Sequence, residues 1–276
     1  MMKEFSLGYS PCPNDTFIFY ALTHCRLACD IGFREVLKDV EYLNCMALLK
    51  KLDVTKASYH GFGFLRDDYC LLHSGSALGS GCGPLIVARG GIDQKDLANK
   101  KIAIPGRMTT AYLLLQLFAP DAKNIVEMPF DRIMNAVGMG TVDAGLIIHE
   151  SRFTYLQYGL VKIMDLGEWW EKETGLPIPL GGILARRDLG VPVIRKIDIL
   201  IRQSIEYAFA HPGEPREYIK KNAQEMDDDV IDQHIKLYVN DHTLDIGEGI
   251  VAVEKLLKIA EELNLIPRSE KTIFVD

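Results

Sequence analysis

The sequence predicts an α/β protein of two lobes, with the chain leaving the first lobe, building the second and then returning. Three observations predict it. Through the first two thirds of the 276 residues, short aliphatic runs alternate with helical stretches, the pattern of strand–helix–strand units around parallel sheets. Two similar segments, Gly83-Pro84-Leu85-Ile86-Val87-Ala88-Arg89 and Gly181-Gly182-Ile183-Leu184-Ala185-Arg186, bracket a self-contained α/β alternation, as hinge strands would. From Pro192 onward the pattern is helical. The expected division is residues 1–88 with 183–276 as a large lobe and 89–182 as a small one.

With 48% hydrophobic and 25% charged residues, the chain has ample material for a core. The net charge is −7, and Lys50-Lys51, Arg186-Arg187 and Lys220-Lys221 are isolated basic pairs, which argues against a nucleic-acid partner. No apolar run reaches the length of about 18 residues that spans a bilayer. Met1 to Tyr9 holds one lysine and no secretory pattern, so the expectation is a cytoplasmic protein. All six cysteines precede residue 83 and are expected as reduced thiols. Cys25 and Cys29, beside His24, have no second pair to complete four ligands, so no metal is expected. The sequence sets no oligomeric state.

Lys3 to Tyr9 reads as a strand that ends in the turn cluster Ser10-Pro11-Cys12-Pro13-Asn14. Asn14 or Asp15 caps a helix over Thr16 to Arg26. Strand, turn and helix N-terminus together present backbone N–H groups to an anion, and two prolines in three residues stiffen the turn. A short strand around Phe33 to Val36 precedes a helix from about Glu41 to Leu52, with Asn44 near its first turn. Val54 to Tyr59 is a strand carrying Ser58 near its carboxyl end, and Leu71 to Gly83 is a Gly/Ser-rich loop.

Within the bracketed unit, Asp96-Leu97 falls in a short helix, Lys101 to Ile104 in a strand and Thr109 to Phe118 in a helix. Ile125 to Met128 is a strand, Arg132 to Val137 a helix and Asp143 to Ile148 a strand buried on both faces. The segment Pro105-Gly106-Arg107-Met108-Thr109-Thr110-Ala111 opens an apolar helix, with Thr109 or Thr110 as its cap. The amides of Thr110 and Ala111, with a threonine hydroxyl, suit a carboxylate. There is no P-loop and no GxGxxG, so no nucleotide cofactor is expected.

The last of these strands runs into His149 and Glu150 at its carboxyl end, where open α/β sheets place their ligands. Alternation sends the two side chains to opposite faces, so Glu150 orients the imidazole only if the strand ends between them. With no serine-nucleophile or zinc motif in the chain, His149 is a candidate general acid/base. Trp169 and Trp170 either wall an aromatic ligand or pack the interface between domains. Beyond Pro192, helices cover Ile194 to Ala208, Glu217 to Ala223, Val230 to Val239 and Gly249 to Leu263. Asp227-Asp228-Asp229 reads as a helix N-terminus or a solvated face.

Taken together, several segments resemble the 1,4-dihydroxy-6-naphthoate synthase family of the futalosine route to bacterial menaquinone. They are Ser10-Pro11-Cys12-Pro13-Asn14-Asp15-Thr16-Phe17, His149-Glu150-Ser151-Arg152-Phe153-Thr154-Tyr155, Asp165-Leu166-Gly167-Glu168-Trp169-Trp170 and Thr174-Gly175-Leu176-Pro177-Ile178-Pro179-Leu180-Gly181. The last third is similar in character but carries no motif of its own. The resemblance implies a type II periplasmic-binding-protein-like fold, two α/β lobes joined by two hinge strands with the active site in the cleft. It also implies a carbon–carbon lyase that converts cyclic dehypoxanthinylfutalosine, a small carboxylate, to 1,4-dihydroxy-6-naphthoate and a sugar-derived fragment without a cofactor. His149 matches the family's His-Glu-Xaa-Arg histidine, the proposed general base. The family's cleft residues fall on Asn44, Ser58, Thr110 and Ala111, and Ser10 and Asn14 of the N-terminal motif are assigned to substrate binding with them. Chorismate dehydratase of the same pathway resembles the chain around Tyr42-Leu43-Asn44, and a carboxylate-capturing binding protein is the non-catalytic alternative.

Overall fold

A computed structural model describes residues 3–223 and 227–275. The chain divides into two units, Met1–Leu78 with Gly181–Asp276 and, inserted between them, Gly79–Leu180.

The first unit opens with β1 (Lys3–Tyr9), α1 (Pro13–Thr23), β2 (Ile31–Leu37), α2 (Val40–Leu48) and β3 (Val54–Ser58). β1 lies between β2 and β3, parallel to both, and is buried on both faces from Phe5 onward. α1 begins at Pro13, where a missing N–H costs nothing, rather than at Thr16. Asn14 and Asp15 are therefore buried inside its first turn, and neither is the cap. Asp39 caps α2 through Glu41 N at 2.9 Å, so the helix starts one residue sooner than expected and Asn44 is not its cap.

Next come α3 (Tyr59–Leu65), β4 (Tyr69–Leu71) and β5 (Ala77–Gly79). α3 contradicts propensity, because two glycines sit in its seven residues. Close packing accounts for them: a Cβ at Gly61 would lie 2.9 Å from the Asn44 side chain, and one at Gly63 would lie 2.8 Å from Ile266. The Gly/Ser-rich segment expected as loop includes β5, and its first residue, Leu71, ends β4.

The inserted unit runs through β6 (Leu85–Ala88), a 3-10 turn (Gln94–Asn99), β7 (Ile102–Ile104), α4 (Thr110–Phe118) and β8 (Ile125–Glu127). It continues with α5 (Phe130–Gly138), β9 (Ala144–Ile147), α6 (Ser151–Thr154), β10 (Val161–Asp165) and α7 (Leu166–Thr174). Its sheet has the order β10-β6-β9-β7-β8, with β7 parallel to β8 and β9 and with β6 antiparallel to β9 and β10. β6 is thus an interior strand of this sheet. For that reason the first crossing falls after Leu78, not at the expected Ala88, and the Gly83–Arg89 run is not the crossing. Phe130, Ile133 and Val137 of α5 pack on Leu85, Val87 and Ala103 to form the core.

β11 (Ile178–Arg186) carries the chain back, and the second crossing falls at Leu180/Gly181 instead of 182/183. It pairs antiparallel with β3 and β4, giving the order β2-β1-β3-β11-β4, with β5 also on β11. The remainder is α8 (Val191–Ala210), α9 (Arg216–Asn222), α10 (Asp228–Tyr238), α11 (Asp241–Leu244) and α12 (Ile250–Glu262). Ile194, Ile197, Ile201 and Ile205 line one face of α8 and are buried with Phe17 and Ile18 of α1, each worth about 1.5–3 kcal/mol of transfer free energy. The buried Ser204 hydroxyl donates to Ile18 O at 2.6 Å, tying α8 to α1. Asp227 accepts from Asp229 N and Val230 N, so the acidic run does open a helix. Among the described residues, no helix is long and apolar enough to cross a membrane.

Candidate functional site

In the first unit, the polar groups collect at the carboxyl ends of the neighbouring parallel strands β1 and β3. Beyond β1, the Asp15 carboxylate is the hub. It accepts from Ser10 N at 3.2 Å, from Ser10 Oγ at 2.8 Å and from Asn14 Nδ2 at 2.9 Å. Lys56 Nζ, from the middle of β3, stands 3.4 Å from Asp15 Oδ1, with the two side chains 8% and 2% exposed. Lys56 also donates to Gly75 O at 3.2 Å. Carboxylate oxygens of an ionised acid only accept, so Asn14 turns its amide nitrogen to Asp15 and its oxygen to His234 Nε2, at 2.9 Å. His234 therefore carries its proton on Nε2.

Two of the sequence-predicted residues, Ser10 and Asn14, thus belong to a buried charged network. Its hub Asp15 and its members Lys56 and His234 were not recognised in the sequence. A lysine inside Val54-Thr55-Lys56-Ala57-Ser58 was the available signal, since a buried ammonium needs a buried partner.

The pair Asn44 and Ser58 is brought together by α2 and β3. Asn44 Oδ1 accepts from Ser58 N at 3.1 Å, and its Nδ2 donates to Glu41 Oε2 at 3.3 Å and to Ser58 Oγ at 3.4 Å. Asn44 is fully buried.

In the inserted unit, Thr109 rather than Thr110 caps α4. Its Oγ1 accepts from Tyr112 N at 3.2 Å and donates to Gly106 O at 2.8 Å. The Thr110 hydroxyl donates to Leu180 O at 2.7 Å. An anion at this helix end therefore meets the first-turn amides, that of Ala111 included, rather than the Thr110 hydroxyl proton.

β9 stops at Ile147, one residue sooner than expected. His149 then adopts a left-handed backbone (φ +56°), uncommon for a residue other than glycine, and Glu150 returns to the helical region as the N-cap of α6. The strand thus ends before both residues, and the alternation that would have set them on opposite faces is lost. A His149 ring nitrogen and a Glu150 carboxylate oxygen lie within 4.8 Å of each other. The Phe130 ring packs edge-on against the imidazole, with centroids 5.0 Å apart, and the His149 Nε2 atom is buried.

Three residues on, Arg152 ties this turn down. Its guanidinium donates to Gly83 O at 2.6 Å and to Asp165 Oδ2 at 3.0 Å. The other Asp165 oxygen caps α7, accepting from Gly167 N at 2.8 Å and Glu168 N at 3.3 Å. Gly83 and Gly167 are needed here because a Cβ at Gly83 would lie 2.4 Å from Gly167 N. Trp170 is buried and donates to Pro177 O at 3.1 Å, and Trp169 packs edge-on against Phe118 at 5.5 Å. Trp170 therefore packs the interior.

A protein-family model described as menaquinone biosynthesis matches residues 5–262. Two curated relatives are named 1,4-dihydroxy-6-naphthoate synthase. The one from Thermus thermophilus is 52% identical over 275 residues, covering 99% of this chain and 100% of its own length. The one from Streptomyces coelicolor is 48% identical over 271 residues, covering 95% of this chain and 94% of its own. Among solved structures, a crystal structure of an Archaeoglobus fulgidus protein is 40% identical with a TM-score of 0.91, covering 95% of this chain and 98% of that one. The alkanesulfonate-binding protein of Xanthomonas axonopodis pv. citri superposes with a TM-score of 0.71 at 13% identity, covering 96% of this chain and 94% of that one. At that identity the likeness is one of fold, and the fold is that of periplasmic binding proteins.

Proposed function

The chain belongs to the menaquinone-biosynthesis family, and from that premise we propose that it is a carbon–carbon lyase acting in the cytoplasm. Its substrate is cyclic dehypoxanthinylfutalosine, its product 1,4-dihydroxy-6-naphthoate, and its general base His149. The observation that carries the assignment of the base is the backbone of His149. A left-handed non-glycine residue at the carboxyl end of a buried strand, braced by Phe130 and by the Arg152 anchor, is the kind of strain that persists at functional sites.

The chemistry follows from the imidazole. His149 removes a substrate proton, the electron pair left behind feeds cleavage of the carbon–carbon bond, and formation of an aromatic ring drives expulsion of the sugar-derived fragment. General-base assistance of this kind is worth about 10²–10⁴ in rate. Substrate contacts are assigned to Ser10, Asn14, Asn44 and Ser58 from the first unit and to Thr110 and Ala111 from the inserted one. Of these, Ser10 spends its hydroxyl proton on Asp15 and Thr110 spends its own on Leu180 O, so both offer oxygen lone pairs to a substrate hydroxyl. The Ala111 amide serves the carboxylate.

Purified protein incubated with cyclic dehypoxanthinylfutalosine, without added cofactor, is expected to yield the naphthoate by absorbance and mass. Binding without product would instead identify a ligand-capturing protein, and neither binding nor product would direct the assay to chorismate.

A further inference from the structure

We propose that Glu150 is the positioning residue of His149, its buried carboxylate holding the imidazole and stabilising the imidazolium formed during turnover. This rests on the reading of His149 as the base. Glu150 is 5% exposed, yet its Oε2 has no hydrogen-bond partner among the described residues. A carboxylate buried in this way is costly, and native proteins hold few such groups without a function for them. The adjacent cation is committed elsewhere, since Arg152 donates to Gly83 O and Asp165 Oδ2. Meanwhile a ring nitrogen of His149 lies within 4.8 Å of a Glu150 carboxylate oxygen.

The left-handed turn is what makes this pairing, since two consecutive strand residues would diverge. Of the other ionisable groups in the inserted unit near this turn, Arg152 and Tyr155 follow it in sequence. Asp165 at the β10–α7 junction is bound to Arg152. From α5, Phe130 presents an uncharged ring, and its neighbours Asp131 and Arg132 are exposed.

The step balances without a further reagent. The substrate's bond to hydrogen breaks, its electron pair stays on the substrate, and the proton forms an N–H bond on His149. The neutral ring becomes an imidazolium beside an existing negative charge, and Glu150 itself takes no proton. An opposite charge at this distance favours the charged ring, so removing it makes His149 harder to protonate.

The test is a titration of ring-labelled histidine by NMR without substrate, with the His149 resonance identified among the seven histidines by its absence in His149→Asn. In Glu150→Gln the His149 midpoint is expected to fall below that of the wild type. Glu150→Asp, which keeps the charge, should restore much of it and serves as the second variant if the amide fails to fold. An unchanged midpoint in Glu150→Gln overturns the proposal whatever the substrate is. In the turnover assay, Glu150→Gln should lose about tenfold or more in kcat at constant KM, with the acidic limb of the rate profile moved to lower pH. A rise in KM at unchanged kcat would also overturn it. Failure of the wild-type protein to turn over the substrate sinks the functional reading alone, and the titration still decides the pairing.

Discussion

The turn after β1 in the first unit and the turn after β9 in the inserted unit begin alike and finish differently. Each leaves the carboxyl end of a buried strand, carries a buried acid and passes into a helix. After β1, the acid is saturated, with Asp15 taking hydrogen bonds from Ser10 and Asn14 and a salt bridge from Lys56. After β9, Glu150 leaves an oxygen without a partner, next to a histidine with a strained backbone. The saturation around the second turn sits one shell out, in Arg152, Gly83 and Asp165. A satisfied network fixes the shape of a site, whereas an unsatisfied group held by satisfied neighbours stores its chemistry.

Deleting each acid in turn should separate the two turns most widely. Asp15→Ala strands the buried Lys56 ammonium and should cost about 3 kcal/mol or more in denaturant unfolding. Glu150→Ala removes a buried charge that lacks a full set of partners and should leave stability equal or higher. Equal losses from both would erase the difference between the turns. Next in size, Arg152→Met leaves Asp165 buried without its cation. We expect it to cost about 3 kcal/mol, and to lower kcat through the loosened His149 turn.

Thr110→Val forfeits the bond to Leu180 O, about 1 kcal/mol of stability. It should raise KM by less than about tenfold, because the substrate carboxylate is assigned to first-turn amides, and a larger rise would return the hydroxyl to that role. Smallest of all, burial pushes the Cys70 and Cys82 thiols up to about 11, so at pH 8 an alkylating reagent should label the exposed Cys25, Cys29 and Cys45 first. Mass spectrometry of the native protein reads this directly, and early labelling of Cys82 would contradict its placement.

Much of the fold was legible because hydrophobic period and caps are local. The strand from Val54, the helix from Thr110 and the aliphatic face of α8 lie where pattern placed them, within a residue or two. What escaped depends on partners distant in sequence. α3 is held by Asn44 and Ile266 against its own glycines, and β6 has the same Gly…Ala-Arg look as β11 yet belongs to a different sheet. The candidate site divided in the same way. His149 was visible from its place at a strand end. Asp15 looked like a cap, and Glu150 looked misdirected, because one left-handed residue undoes the strand alternation and leaves no mark in composition.

On the proposed reading His149 does the chemistry and not the binding, which His149→Asn tests, because asparagine tolerates the left-handed backbone. Calorimetry with cyclic dehypoxanthinylfutalosine, followed by product analysis of the same mixture, should give a Kd within about threefold of wild type. Turnover should fall by at least ~10²-fold. Turnover close to wild type would remove His149 from the mechanism.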